Sequence, residues 1–400
     1  MKKVLYPLLI VLAAAVSSCV YPFELETEAV DEIMVIEGDI VPGSSSEVIL
    51  SYVSPVTNDP DVVTRVPSTA VVRIEVDTPK AEGGTLYYEV TTPERRDRNG
   101  LVYIVRLTDP NLFQSSNPGA HQYRLVVENG DNGRTYASEW MRLESESVSI
   151  RSLYARLTED QSAVDIFMDF KGHGGYYRIS YKEDWKYTAM YQANCTYNPP
   201  PQGSHSVGTI SMIPLNRYEC WSHNESFLIN LVENEGHSDN NIDGYLVRKI
   251  GRSDSRLSVG YRIDVQINSI SSNAYLYYQH LKDVTEFDGS LFSPNPSEMR
   301  GNIRCLEDPD EMVIGFVDIV RTAKIRKYFS AKELPDYIPP KLYYDTEIVT
   351  VPASQWYQYY KQGYLPFNYD PDQGVAWANK RCIDCTLSGG TTVKPADWIY

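Results

Sequence analysis

Basic residues are scarce in this 400-residue chain. It holds 37 Lys plus Arg against 53 Asp plus Glu, a formal net charge of −16, and no basic run follows position 3. Phosphate recognition needs clustered Lys and Arg, so nucleic-acid binding is excluded. Beyond the first twenty residues no stretch of 18 apolar residues occurs, which leaves no candidate for a spanning helix. The six histidines, at 121, 173, 205, 223, 237 and 280, form no H-E-x-x-H pair, and the chain has no G-x-S-x-G elbow. No glycine-rich phosphate loop follows a strand. Ser204 lies beside His205, but adjacency in sequence is not triad geometry. These absences favour a non-enzymatic protein that carries no cofactor.

Phenylalanine (10) and methionine (8) are also few, whereas tyrosine reaches 31. That balance suits strands and exposed aromatic surfaces better than helical bundles. Apolar residues make up 42%, within the globular range, so wholesale disorder is excluded. A length of 400 predicts two domains or more.

The N-terminus reads as an address. Lys2 and Lys3 precede an apolar run from Val4 to Val16, which at about 1.5 Å per residue reaches roughly 20 Å, short of a hydrocarbon core of about 30 Å. A signal peptide over 1–18 is expected. Its end, Val16-Ser17-Ser18-Cys19, resembles a bacterial lipobox, in which the cysteine is acylated and becomes the first mature residue. Cleavage there leaves 35 basic against 53 acidic residues, a charge of −18. Several acyl chains on Cys19 would anchor the chain to a membrane. Residues 19–29, with Glu24, Glu26 and Glu28, read as an acidic tether.

Five further cysteines remain: Cys195, Cys220, Cys305, Cys382 and Cys385. In an exported protein they imply at most two disulfides and one leftover thiol. Cys195 and Cys220 bracket a Pro- and Gly-rich loop. Cys382 and Cys385 form a CxxC that is able to close on itself or to offer one member to Cys305. A redox CxxC needs a βαβ context that is absent here, and zinc would need a second close pair.

Over 30–145 short strands recur between turn signals: 33–37, 48–52, 70–76, 87–90, 101–107, 121–127 and 135–138. Asn129-Gly-Asp-Asn-Gly133 is a strong hairpin signal between the last two. The pattern predicts an immunoglobulin-like antiparallel β-sandwich, without the Cys…Trp…Cys core of antibody domains. Polar 144–148 marks the boundary to a β-rich domain over 146–400, with strands near 163–170, 176–181, 257–267 and 312–317. Helices are expected near 272–286, capped by Ser271 or Ser272, and near 354–362, closed by Gly363. The whole is mainly β. Two acidic loops, Asp239 to Gly244 and Asn368 to Asp372, imitate calcium loops but lack the full ligand set, so polar turns are the expected reading. Among the clustered aromatics, Tyr187, Tyr191, Trp356, Tyr357 and Tyr364 are candidates for a contact surface toward a glycan or peptide.

Several segments together resemble one family: Cys19-Val-Tyr-Pro-Phe-Glu24, Met34-Val-Ile-Glu-Gly-Asp39, Phe292-Ser-Pro-Asn-Pro-Ser297, Gly301-Asn-Ile303, Ile314-Gly-Phe-Val317 and Cys382-Ile-Asp-Cys385 with Gly389 to Trp398. The chain resembles the Bacteroidota lipoproteins grouped as domain of unknown function 4249. The terminal C-x-D-C…G-G-T…K-P…W is the most specific piece. The resemblance implies Cys195–Cys220 and Cys382–Cys385 bridges, with Cys305 as the free thiol. It also implies an outer-membrane lipoprotein that partners a TonB-dependent transporter barrel, as an accessory or substrate-capturing subunit, and it brings no catalytic residues. Glu24 and Glu26 fit a surface-export signal that lacks its usual lysine, which leaves the cell-surface and periplasmic faces both open. A surface adhesin or fimbrial-type subunit is the alternative.

Overall fold

A computed structural model describes residues 33–53, 65–77, 86–90, 95–96, 101–106, 121–143, 147–173, 175–204, 206–226, 228–234, 240–286, 301–330 and 347–399. The expected signal peptide, the tether and Cys19 lie outside these residues, as do Asp239 and His205.

The first part of the chain forms β1 (Met34–Ile40), β2 (Ser45–Tyr52), β3 (Ala70–Val76), β4 (Leu86–Val90), β5 (Arg95–Arg96), β6 (Leu101–Arg106), β7 (Gln122–Asn129), β8 (Arg134–Ser138) and β9 (Met141–Arg142). Strands β1, β2, β6 and β5 pair in one sheet; β8, β7, β3 and β4 pair in the other. Period-two alternation drives the arrangement. In β3, Ala70, Val72, Ile74 and Val76 are buried while the residues between them are half-exposed. The inner faces meet in a core that includes Met34, Ile36 and Leu50 from one sheet and Ile74, Tyr123 and Tyr136 from the other. This is the expected sandwich. Its hairpin from β7 to β8 turns at Gly133, whose φ of +69° suits glycine and whose N–H donates to Asn129 O at 2.9 Å.

The second part forms β10 (Ser149–Leu157), β11 (Ala163–Lys171), β12 (Tyr176–Thr188), β13 (Thr196–Asn198), β14 (Thr209–Ser211), β15 (Glu219–Glu225), β16 (Asn230–Glu233), β17 (Asn241–Gly251) and β18 (Gly260–Ile270). Helix α1 (Ser272–Glu286) follows, on the residues expected for it. Then come β19 (Ile303–Cys305), β20 (Val313–Ile314), β21 (Val317–Ile319) and β22 (Arg321–Phe329). Sheet β10-β11-β17 covers sheet β15-β12-β18-β22 in a second sandwich cored by residues such as Phe170, Tyr177 and Ile263. One charge is fully enclosed there. Glu183 accepts from Arg256 Nε at 2.8 Å, Tyr261 OH at 3.1 Å and Asn224 Nδ2 at 3.1 Å, with Arg248 3.2 Å away. A buried carboxylate is tolerable only with such a full set of partners.

The expected division at residue 145 is corrected by the strands after α1. β19 pairs antiparallel with β8, while β20 and β21 run parallel to β1, so this segment belongs to the first sandwich. Backbone contact fixes the crossing. Gly315 has φ +111°, and a Cβ there would stand 2.0 Å from Ile36 O. The Asn302 side chain ties the return down, donating to Val317 O at 2.7 Å and accepting from Val317 N at 3.0 Å. Helix α1, capped by Ser271 Oγ accepting from Ala274 N at 3.1 Å, wedges at the junction and buries Ala274 and Tyr278 against Val41, Phe316 and Val320.

A smaller lobe completes the chain: β23 (Val349–Thr350), α2 (Trp356–Lys361), β24 (Tyr364–Asp370) and β25 (Gly374–Asn379), beside the β13–β14 hairpin. Helix α2 is shorter than expected because residues 353–355 form a 3-10 turn, and Gly363, at φ +86°, closes it. The disulfide pairing departs from expectation. Cys220 bonds Cys385, so neither Cys195–Cys220 nor Cys382–Cys385 exists. The reason is the path of the backbone. Cys382 ends one 3-10 turn inside a cluster with Ala193 and Ile383, whereas Cys385 begins the next turn and points into the second sandwich. Cys195 is buried in a third cluster with Trp377, and Cys305 is buried and unbridged in the first sandwich. Burial pushes both of these thiols up to about 11.

Candidate binding cleft between the sandwiches

Alternation that buries one face of a strand presents the other. In β1, Met34, Ile36 and Ile40 fill the first core, so Glu37 and Asp39 face outward. In β12, Tyr177, Ile179 and Tyr181 fill the second core, so Arg178, Ser180 and Lys182 face outward. These two outer faces oppose each other across a cavity of 500 Å³. Its size lies within the range of about 300–1,000 Å³ usual for ligand sites. One wall is acidic, with Glu37, Asp39 and Glu47; the other is basic, with Arg178, Lys182 and Lys324. Tyr278 of α1 lines the cleft between them, and Ile49 and Ile104 add apolar surface to the acidic wall.

At one point the walls are clasped. Arg178 forms an ion pair with Asp39 and lies 4.4 Å over the Tyr278 ring, while Asn268 Nδ2 donates to Asp39 Oδ2 at 2.8 Å. Desolvation dominates the local electrostatics. Burial raises the Glu37 carboxyl above the usual carboxylate range against the pull of Arg178, and burial likewise raises the Tyr278 phenol. Two polar atoms in the cleft, Asp39 Oδ1 and Thr322 Oγ1, are buried without a hydrogen-bond partner among the described residues. Groups of that kind are costly unless something satisfies them. Lys324 is exposed and makes no ion pair among the described residues. Farther along the same sheet face the charges are consumed by one another. Arg326 grips Asp264 at 2.6 and 2.9 Å, and Asp184 takes both Arg262 and, at 3.0 Å, His223.

A larger cavity, 560 Å³, opens on the other flank of α1 beside Trp140, His280 and Asp318. Two of its polar groups are used, since Asp318 accepts from Ser271 N at 2.8 Å and both ends of the Asn302 amide bond Val317, whereas His280 Nε2 is buried without a hydrogen-bond partner among the described residues. The cleft sets three carboxylates on one wall against three cations on the other, and it is the candidate site.

The aromatic residues expected to form a contact surface do not converge on it. Tyr187 is a correction: it is buried, and its hydroxyl donates to Cys385 O at 3.0 Å. The terminal strap, residues 385–391, bridges to β15 at Trp221–Thr391 and closes over the Tyr187 hydroxyl. Tyr191 stacks on Phe367 at 4.4 Å, Trp356 Nε1 donates to Val351 O at 3.0 Å, and Tyr364 meets Tyr359 edge-on at 5.5 Å. Tyr357 sits under Lys361 at 4.4 Å. These four are half-buried in the small lobe. The acidic loop at 368–372 closes on itself, since Asp370 Oδ1 accepts from Asp372 N and Gln373 N. Asp243 of the other acidic loop pairs with Arg151. No group of His, Cys, Asp and Glu able to hold a metal occurs among the described residues, and no described helix is long and apolar enough to cross a membrane. The cleft residues drew no notice in the sequence because Glu37 and Asp39 stand about 140 positions from Arg178; the outward phase of β1 within Met34-Val-Ile-Glu-Gly-Asp39 was the available signal.

Fold and cleft define a mainly β protein of two packed sandwiches with a charged groove between their facing sheets. The family model "Domain of unknown function (DUF4249)" matches residues 20–326, and the chain belongs to that family. The terminal C-x-D-C…K-P…W segment lies outside the matched span. No curated protein matches the chain. Among solved structures, that of CBD12 from CALX1.2 is 11% identical and covers 73% of this chain and 98% of its own, with a TM-score of 0.12 that carries no argument.

Proposed function

We propose that this chain is a non-enzymatic outer-membrane lipoprotein of Bacteroidota type, anchored through acylated Cys19, that captures a ligand for a TonB-dependent transporter barrel. The observation that carries the capture role is the 500 Å³ cleft, where a wall of Glu37, Asp39 and Glu47 faces a wall of Arg178, Lys182 and Lys324. The lipobox ending at Cys19 supports the anchor, and the tether over 19–29 gives the sandwiches reach from the membrane.

The test is gentle detergent extraction of the tagged chain from native outer membranes, read by mass spectrometry. A large barrel in stoichiometric amount is expected, and Cys19→Ala is expected to move the protein into the soluble fraction. A clean monomer without a barrel overturns the partnership, and a self-assembled ladder on a gel points to an adhesin instead. Hydrolysis of glycans or peptides, abolished by one acid or histidine substitution, overturns the non-enzymatic reading.

A further inference from the structure

Trp140 stands apart from the other tryptophans. The chain holds six; Trp185, Trp221, Trp377 and Trp398 are buried, and Trp356 is half-buried with its N–H donated to Val351 O. Trp140 alone is exposed, at 38%, and it lines the 560 Å³ cavity on the flank of α1 away from the cleft. Its ring is nonetheless held in place. Tyr123 and Leu125 of β7 fill the first core, so Arg124 faces outward, where it lies 4.7 Å over the indole and donates to Glu75 at 3.0 Å. A ring fixed in advance costs little further ordering when a ligand stacks on it.

The side chains around it are polar and uncommitted. Gln122 and Arg142 are register partners on β7 and β9, on the outward face that also carries Arg124. Across the cavity Asn273, Leu276 and His280, spaced by three and four residues, line up along one side of α1. The side chains of Gln122, Glu139, Arg142 and Asn273 have no partner among the described residues, and all four residues are at least partly exposed. Leu276, 61% exposed, adds a second apolar contact. The charges at the rim cancel: Glu139 brings one carboxylate, Arg142 one guanidinium, and Asp318 is turned to Ser271 N. Neither a cation nor an anion finds a wall of opposite sign there. Amide side chains, which both donate and accept, suit hydroxyl groups.

We infer that this cavity is a binding site for a neutral sugar, with the C–H face of a pyranose ring laid against Trp140 and its hydroxyls bonded to Gln122, Glu139, Arg142 and Asn273. A pyranose combines the two surfaces that the cavity offers partners for: an apolar face for an aromatic ring, and an edge of groups that both donate and accept. The site shares no lining residue with the charged cleft and does not depend on it.

The experiment is calorimetric titration of the detergent-solubilised full chain with the neutral trisaccharides maltotriose, cellotriose, mannotriose and xylotriose. Trigalacturonate, chitosan trimer and trialanine serve as anionic, cationic and peptide probes. At least one neutral sugar is expected to bind and to shift tryptophan emission to the blue, while the other probes stay silent. Trp140→Ala is expected to remove the emission shift and weaken that sugar about tenfold, and Trp140→Tyr to recover most of the loss. Asn273→Ala, at an exposed position on the opposite wall, is expected to weaken it about fivefold with the circular dichroism spectrum unchanged. Silence of every sugar, tighter binding of a charged probe or of trialanine, or undiminished affinity in either alanine variant overturns the assignment. Barrel co-purification is scored separately: sugar binding without a barrel removes only the transporter, and a retained barrel with no sugar binding removes only this site.

Discussion

Asp318 sits on β21 with its carboxylate under the first turn of α1, where Ser271 N–H donates to Oδ2 at 2.8 Å. Burial pushes its pKa up to about 6 from the ordinary 3.8, against the pull of the Ser271 bond and with help from the neighbouring Asp39 charge. Tyr278 and Arg178 share the same pocket of charge. Between those two pH values the folded chain keeps a proton that the unfolded chain has released, so stability falls as pH rises through the window. The full loss above pH 6 is about 3 kcal/mol. Glu37, raised in the same direction, adds a slope of the same sign. Asp318→Asn keeps an acceptor for Ser271 and removes the ionisation. Urea unfolding is expected to show the variant gaining about 1–3 kcal/mol over the parent at pH 8, with the gain vanishing near pH 4. Parallel pH profiles for the two proteins would contradict the burial argument.

At the scale of elements, local signals were legible and long-range partners were not. The β7–β8 hairpin followed from Asn129-Gly-Asp-Asn-Gly133, and α1 followed from the spacing of Ala274, Tyr277, Tyr278 and Leu281. Strands β19 to β21 hold two or three residues each, and their role depends on distant partners: β19 pairs antiparallel with β8, and β20 and β21 pair parallel with β1, almost 280 positions earlier. No periodicity survives in so short a piece. The CxxC failed for a related reason. Its two cysteines are three positions apart, but Asp384 between them is extended and caps the second turn by accepting from Thr386 N at 3.0 Å, which sends the thiols into different cores. The Cys220–Cys385 bridge then pins the terminal strap to β15 across a sequence separation of 165. Chain-entropy reasoning for a loop of that size gives about 5 kcal/mol, an upper figure because reduced chains keep some structure. Non-reducing peptide mapping is expected to recover Cys220 linked to Cys385. Reduction is expected to lower the unfolding midpoint without changing the β content of the native baseline. Recovery of a Cys195–Cys220 peptide would refute this path for the chain.

At the scale of the whole molecule, the two sandwiches are not beads on a string. The chain leaves the first, builds most of the second, turns through α1, and returns over 301–319 to complete the first before β22 rejoins the second. The candidate site is a product of this path. It arises where the outer face of β1 meets the outer face of β12, so no contiguous motif encodes it, and the outward carboxylates of β1 read in isolation as an ordinary solvated face. The return also closes sheet edges. β20 and β21 cover β1, β19 covers β8, and Ile303, Cys305, Val313, Val317 and Ile319 all enter the first core. A fragment of residues 30–145 would expose both edges and lose those five side chains, worth about 1.5–3 kcal/mol for each large aliphatic one. Set against a typical domain stability of about 5–15 kcal/mol, that loss is decisive. The fragment is therefore expected to aggregate or to show collapsed amide dispersion in an NMR spectrum. The same fragment followed by a flexible Gly/Ser linker and residues 300–320 is expected to fold cooperatively, since loop closure over a longer linker costs only about 0.6 kcal/mol per doubling. Replacing Gly315 with valine in that linked fragment should abolish the rescue, because a Cβ there meets the Ile36 carbonyl and φ +111° is hostile to any β-branched residue. Cooperative unfolding of residues 30–145 alone would mean that the return segment decorates the first sandwich rather than completing it.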